Sequence, residues 1–197
     1  MTMTAPAEPS REFGFTDEEF ETVARLAYEH FGLELQPAKR SLVYSRLTRR
    51  LRALRLPDFG SYLSVVTGPD GASERTRMLS ALTTNVTHFF REAHHFEQLS
   101  KLVLPRAIAT ARTGGRVRLW SAGCSAGQEP YSIAMTLLAA CPDAARYDIR
   151  ILATDVDPAI LDRARRGQYP MAEHGSIPSS HRAHLAVSRE DPDMFEM

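Results

Sequence analysis

Apolar residues recur at three- and four-residue steps through the first eighty positions, then give way to short apolar runs divided by small-residue turns. From Phe15 to Phe31 the steps fall on Phe20, Val23, Ala24, Ala27 and Phe31, which predicts a helix. Thr16 is placed to cap it, Glu19 three residues on completes a capping box, and Gly32 can stop it. Pro37 can open a second helix that runs to about Leu56 and ends before Pro57. A short helix over Phe59 to Val66, a loop from Thr67 to Gly71, and a fourth helix capped by Ser73 and reaching Leu82 follow. No strand pattern interrupts this stretch.

Beyond it the periodicity changes. His94 to Arg112 reads as helix, kinked or split at Pro105. Arg116 to Ala122 reads as a strand, Glu129 to Ala140 as a helix, and Asp148 to Thr154 as a second strand. Pro158 to Arg166 is a further helix with Gly167 just past its end. Strand–helix–strand–helix predicts a parallel sheet with right-handed crossovers. The expected division is a disordered tail over residues 1–14, a helical domain over 15–82 and an α/β domain over 83–197. After Pro170 the chain is polar and shows no further convincing strand. Two strands are too few for a parallel sheet core. The expectation is therefore the front part of a longer protein, with a sheet-completing partner as the alternative.

Composition narrows the classes. Of 197 residues, 43% are hydrophobic and 24% charged, and the net charge is zero, so bulk electrostatics nominates neither nucleic acid nor an anionic membrane. The longest apolar run, Ile133 to Cys141, is too short to span a bilayer, and the first twelve residues lack a signal-peptide layout. Two cysteines, Cys124 and Cys141, make no disulfide framework, which fits a cytoplasmic location.

The most informative segment runs from Trp120 through Ser121-Ala122-Gly123-Cys124-Ser125-Ala126-Gly127-Gln128-Glu129 to Pro130-Tyr131. A strand, a small-residue turn and a helix start together cradle nucleotide-like ligands, because small side chains let the ligand approach and a helix N-terminus offers unpaired N–H groups. The second strand ends in Asp155-Val156-Asp157-Pro158. A carboxylate there can accept both hydroxyls of a ribose. Asp157, immediately before proline, suits a helix cap, which leaves Asp155 for the ribose. Glu129 at the helix start would repel phosphate but suits a cationic ligand, and S-adenosylmethionine carries both an ammonium and a sulfonium.

Four other features carry candidate chemistry. Residues Thr83 to Glu92 alternate polar and apolar positions, and by pattern read as a capped linker with Phe89 and Phe90 plugging a core. The second helix carries seven basic residues and no acidic one between Lys39 and Arg55. Val43, Leu47, Leu51 and Leu54 share one face, with Arg46, Arg49, Arg50 and Arg52 opposite. Unopposed like charges on one helix imply an acidic partner, and without aromatic interleaving that partner is protein rather than nucleic acid. The pair His94-His95 lacks the companions of a metal site. Cys124 reads as a small turn residue.

Taken in order, Lys39-Arg40…Val43-Tyr44-Ser45-Arg46-Leu47…Arg49-Arg50-Leu51, then Thr83 to Glu92, then Trp120 to Ser132, then Ala153-Thr154-Asp155-Val156-Asp157, the chain resembles the CheR-type chemotaxis receptor methyltransferases. The resemblance covers Phe15 to about Tyr169. It implies an α/β protein: a small all-helical N-terminal domain for receptor recognition, then an incomplete Rossmann-like S-adenosylmethionine-dependent methyltransferase domain. It implies methyl transfer from S-adenosylmethionine to glutamate side chains of membrane chemoreceptors, yielding glutamyl methyl esters and S-adenosylhomocysteine, in the cytoplasm. Asn85, Thr87 and Arg91 would line the cofactor pocket with Gly123, Glu129 and Asp155, which replaces the linker reading. Arg46, Arg49, Arg50 and Arg52 would contact acidic methylation helices. No residue is assigned as a catalytic acid or base, and no nucleic acid, membrane insertion or metal is expected. The complete protein is expected to be a monomer. Set against the family, the later strands, and the small antiparallel insertion that some members use to tether to receptors, are expected to be missing from this sequence. Their absence makes a catalytically inactive receptor-binding module the alternative.

Overall fold

Thr16 Oγ1 accepts the Glu19 N–H at 3.1 Å and Glu19 Oε2 accepts the Thr16 N–H at 2.8 Å, so helix α1 (Asp17–Phe31) starts on the capping box its sequence predicts. Gly32 ends it in the left-handed conformation (φ 66°). The computed structural model describes residues 12–197, so most of the expected tail, residues 1–11, lies outside the described residues. Its last residues are tied down: Arg52 pairs with Glu12, and the Phe13 N–H donates to the Tyr44 hydroxyl at 3.3 Å.

The chain divides into two units, one ending at Thr84 and one running from Asn85 to Met197. In the first, Pro37–Lys39 forms a 3-10 turn that leads into α2 (Arg40–Leu54). Helices α3 (Phe59–Thr67) and α4 (Ala72–Leu82) follow. Asp58 caps α3 by accepting the Ser61 N–H at 2.7 Å. Helix α4 begins two residues earlier than expected. The Gly71 N–H closes on Gly68 O at 3.0 Å, so Gly71 takes the cap position and Ser73 sits inside the first turn. Val43, Leu47 and Leu51 on α2 are buried against Phe20 and Val23 of α1 and Phe59 and Tyr62 of α3. Each such side chain contributes about 1.5–3 kcal/mol on leaving water.

The second unit opens with the Asn85–Glu92 segment and α5 (Ala93–Gln98). The expected break at Pro105 occurs. Leu99–Val103 is a π-helical turn before α6 (Leu104–Arg112), and proline, which has no N–H, sits in the first turn of α6. Strands β1 (Val117–Ala122) and β2 (Ile149–Thr154) pair in parallel, from Val117 opposite Ile149 to Ala122 opposite Thr154. Helix α7 (Gln128–Ala140) crosses between them. One face of the pair packs Val117 and Ile149 against Leu104, Ile108, Leu137 and Cys141. The other face shows Trp120 and Leu152, which are 67% and 58% exposed.

Helix α8 (Pro158–Arg166) ends at Gly167 in the left-handed conformation, as its sequence predicts. The region after it departs from expectation. Strands β3 (Gln168–Pro170), β4 (Ala186–Val187) and β5 (Met194–Glu196) form a small antiparallel sheet in the order β3-β5-β4. Strands of two or three residues are too short to show alternation. They are held by Tyr169 facing Phe195 across the pairing, both packed on Phe89. Between them lie α9 (Met171–His174) and a 3-10 turn at Ser179–His184.

Candidate functional site

At the end of β1 the backbone turns through three left-handed residues, Gly123 (φ 76°), Ser125 (φ 50°) and Gly127 (φ 100°). This geometry spends amides inside the protein. The Gly123 and Cys124 N–H groups both donate to Thr154 O at 2.8 Å, Ser125 N–H donates to Asp155 Oδ2 at 2.8 Å, and Gly127 N–H donates to Cys124 O at 3.0 Å. Pro130, in the first turn of α7, offers none. Internal acceptors thus take the Gly123, Cys124, Ser125 and Gly127 amides, and the expected unpaired N–H groups narrow to those of Ala126 and of the helix start, Gln128 and Glu129. Four amides of the segment have internal partners, which leaves fewer for an anion than a fully open nest offers. Gly127 is required by close approach as well as by φ. A Cβ there would lie 2.6 Å from the Tyr169 hydroxyl and 3.0 Å from Ala164 Cβ. The side of Gly123 is open, with nothing within 4 Å of a Cβ built there.

Carboxylates flank the turn. Asp155 is half-buried and accepts Ser125 N–H through Oδ2 and Asp157 N–H through Oδ1 (3.0 Å). Asp157 caps α8 by accepting Ala159 N–H at 3.0 Å, the role its position before proline predicts. It also accepts from Asn85 Nδ2 at 3.1 Å, and Ser125 Oγ reaches Asn85 O at 3.4 Å. Asn85, Ser125, Asp155 and Asp157 thus form one connected network from three separate sequence segments. Glu129 is exposed at the start of α7 and accepts a 2.6 Å hydrogen bond from the Ser121 hydroxyl. Burial, followed by the nearby charges of Asp155 and Glu129, pushes the Cys124 thiol pKa up, so this cysteine stays protonated.

The Asn85–Glu92 segment packs its aromatic pair into a core, as its pattern predicts. Phe89 and Phe90 are buried. Phe90 N–H donates to Ser132 Oγ at 3.0 Å, which anchors the segment to α7. Thr87 is half-buried, and Arg91 is exposed with Nη1 3.5 Å from Val86 O. Phe90 and Glu92, on either side of Arg91, have φ of 53° and 56°, a costly conformation for residues with a Cβ.

The basic helix α2 is less unopposed than its sequence implies. Arg40 pairs with Asp17 at 2.8 Å. Arg46 donates to Leu82 O, to Thr83 O at 3.0 Å and to Thr84 Oγ1 at 2.9 Å. Arg50 forms a bidentate pair with the buried Glu74, and the exposed Arg52 pairs with Glu12. The acidic partners come from other elements of the same unit, which a single-helix reading does not see. Arg49 is exposed and makes no hydrogen bond or ion pair among the described residues.

Two contributors escape a sequence reading. Ser121 occupies a buried inward position of β1, and its one signal is a hydroxyl where Val117 and Leu119 set an apolar pattern. Tyr169, buried on β3, donates to Ala126 O at 2.7 Å and so braces the turn from the small sheet.

A parallel strand pair ending in a carboxylate-flanked, small-residue turn, within a chain that begins with an all-helical unit, defines the class: an α/β binding domain for a nucleoside cofactor, with an appended helical domain. The family described as CheR methyltransferase, SAM binding domain, matches residues 85–194, and its companion, CheR methyltransferase, all-alpha domain, matches residues 18–83. The chain belongs to the CheR methyltransferase family. It is 55% identical over 144 residues to a probable chemotaxis protein methyltransferase of Rhizobium etli, covering 73% of this chain and 54% of that protein. It is 42% identical over 165 residues to the chemotaxis protein methyltransferase of Salmonella typhimurium, covering 83% and 54%. It is 41% identical over 177 residues to chemotaxis protein methyltransferase 2 of Pseudomonas aeruginosa, covering 89% and 60%. The chain thus spans about half of the length of the first two relatives and 60% of the third. Among the described residues no helix is long and apolar enough to cross a membrane.

The residues present fit S-adenosylmethionine better than a phosphate-bearing cofactor. Two carboxylates, which repel phosphate, border the turn, and the open side of Gly123 leaves room for a ligand against the backbone.

Proposed function

We propose that the protein transfers the methyl group of S-adenosylmethionine to glutamate side chains of chemoreceptors, in the cytoplasm. The observation that carries this reading is the pair of carboxylates, Glu129 and Asp155, on either side of the small-residue turn. Asp155 would take the ribose hydroxyls and Glu129 the ammonium of the methionyl end. Asn85, Thr87, Arg91 and the open side of Gly123 would line the rest of the pocket. Family membership and relatives named as chemotaxis methyltransferases support the same reading.

Bound S-adenosylmethionine supplies an electrophilic methyl group on a sulfonium. A glutamate carboxylate is ionised at neutral pH and is itself the nucleophile, so the chain needs no general base. Its residues have to bind, align and exclude water. Arg91 is the cation nearest the motif that could hold the incoming carboxylate. A loose contact suits that task, since tight pairing would blunt the nucleophile. On α2, Arg49 is the cation best placed to meet an acidic receptor helix. Arg52 keeps a largely exposed side chain, while Arg46 and Arg50 are committed inside the unit.

Incubation with receptor membranes and methyl-labelled S-adenosylmethionine tests the reading. Alkali-labile label on receptor glutamates is expected. Label on another residue type, or on small molecules only, overturns it.

A further inference from the structure

We propose that Ser121 is a positioning residue that fixes Glu129 as the reader of the cofactor's amino group. This rests on the reading above, in which Glu129 faces the methionyl ammonium. The inward positions of β1 are Val117 and Leu119, both apolar, and then Ser121, which is 1% exposed. A buried hydroxyl at a strand position suited to an apolar side chain has to find a partner. Its partner is Glu129 Oε1 at 2.6 Å, a length typical of an O–H donating to an ionised carboxylate. The hydroxyl has one proton, and it is spent there.

Glu129 itself is exposed at the first turn of α7, where a long side chain with three torsions samples many rotamers. The Ser121 bond selects one of them from inside the fold. It ties up Oε1 and leaves Oε2 to accept from a ligand. The ordering cost is then met before the ligand arrives, which is the physical content of preorganisation. The consequence is selective. Ser121 matters for ligands that carry the amino-acid end and not for those that carry the nucleoside alone.

The experiment titrates S-adenosylhomocysteine and 5′-methylthioadenosine into the protein and its variants by calorimetry. The first ligand has the ammonium and the second lacks it. Ser121→Ala is expected to weaken S-adenosylhomocysteine about tenfold, to leave methylthioadenosine unchanged, and to leave the melting temperature unchanged, since Glu129 can turn to water. Asp155→Ala is expected to weaken both ligands, because both carry the ribose. If Ser121→Ala leaves S-adenosylhomocysteine unaffected while Asp155→Ala weakens it, the Ser121 inference fails and the cofactor reading stands. Equal weakening of both ligands by Ser121→Ala marks a merely structural role and also overturns the inference. No effect of Asp155→Ala on either ligand overturns the underlying reading. Should the alanine variant not fold, Ser121→Cys, close in shape with only a weak donor, must show the same selective loss.

Discussion

Arg50 holds Glu74 through two parallel hydrogen bonds, Nε to Oε1 at 2.9 Å and Nη2 to Oε2 at 2.8 Å, and the Tyr62 hydroxyl adds a third contact to Oε1 at 3.2 Å. Helix α2 is thereby fastened to α4 by a planar ion pair inside the helical unit. The bond to Glu74 holds the Arg50 guanidinium pKa above its ordinary value. Removing either partner leaves a largely buried charge alone. Glu74→Ala or Arg50→Ala should each cost about 3 kcal/mol of stability, read by chemical denaturation. A loss below about 1 kcal/mol would show the pair to be solvated and incidental.

On the proposed function, recognition and folding fall to different arginines of α2. Arg49→Glu should leave the melting temperature unchanged and weaken binding to an acidic receptor-helix peptide, with the difference shrinking as salt rises. Arg46→Glu should instead destabilise the unit, because its guanidinium satisfies carbonyls at the end of α4. Equal melting of the two variants would contradict the assignment.

What was legible in the sequence was local. The Thr16–Glu19 box, Asp157 before Pro158, and Gly32 and Gly167 after their helices depend on residues within one turn, and each acts as its spacing predicts. The two parallel strands were legible because each is a six-residue run. What the sequence hid was pairing at a distance. Glu74 lies 24 residues from Arg50, so α2 looks unopposed when read alone. Tyr169 and Phe195 make a sheet only by meeting each other. Around the turn, Glu129 and Asp155 are visible at fixed places after strands. The pairing of the Gly123 and Cys124 amides is not, because their acceptor, Thr154 O, comes from the neighbouring strand.

Gly127 is the least replaceable position in the turn. Alanine there adds a left-handed residue at φ 100° and a methyl 2.6 Å from the Tyr169 hydroxyl. Gly127→Ala should cost about 2–4 kcal/mol and lower the melting temperature accordingly. A variant as stable as the parent would mean the turn can relax away from β3.

Alkaline pH should expose the two buried tyrosines. Burial raises the Tyr169 hydroxyl pKa, and burial followed by the Glu74 charge raises that of Tyr62. An unfolded tyrosine titrates near about pH 10. The folded state holds these protons more tightly, so their contribution to stability is complete below about pH 10 and is lost as pH rises toward the folded values. Tyr169→Phe should flatten that alkaline decline. At neutral pH it should cost about 1–2 kcal/mol through the lost bond to Ala126 O. An unchanged alkaline slope would contradict the burial argument.

On the proposed function this turn, with Glu129 and Asp155 beside it, reads a cationic nucleoside rather than a phosphate. Calorimetric competition between S-adenosylhomocysteine and adenosine diphosphate, on the parent protein and on Asp155→Ala, tests it most directly. The predicted result is binding of S-adenosylhomocysteine that adenosine diphosphate does not displace, weakened at least about tenfold by Asp155→Ala. Tight adenosine diphosphate binding, or S-adenosylhomocysteine affinity untouched by Asp155→Ala, would contradict it.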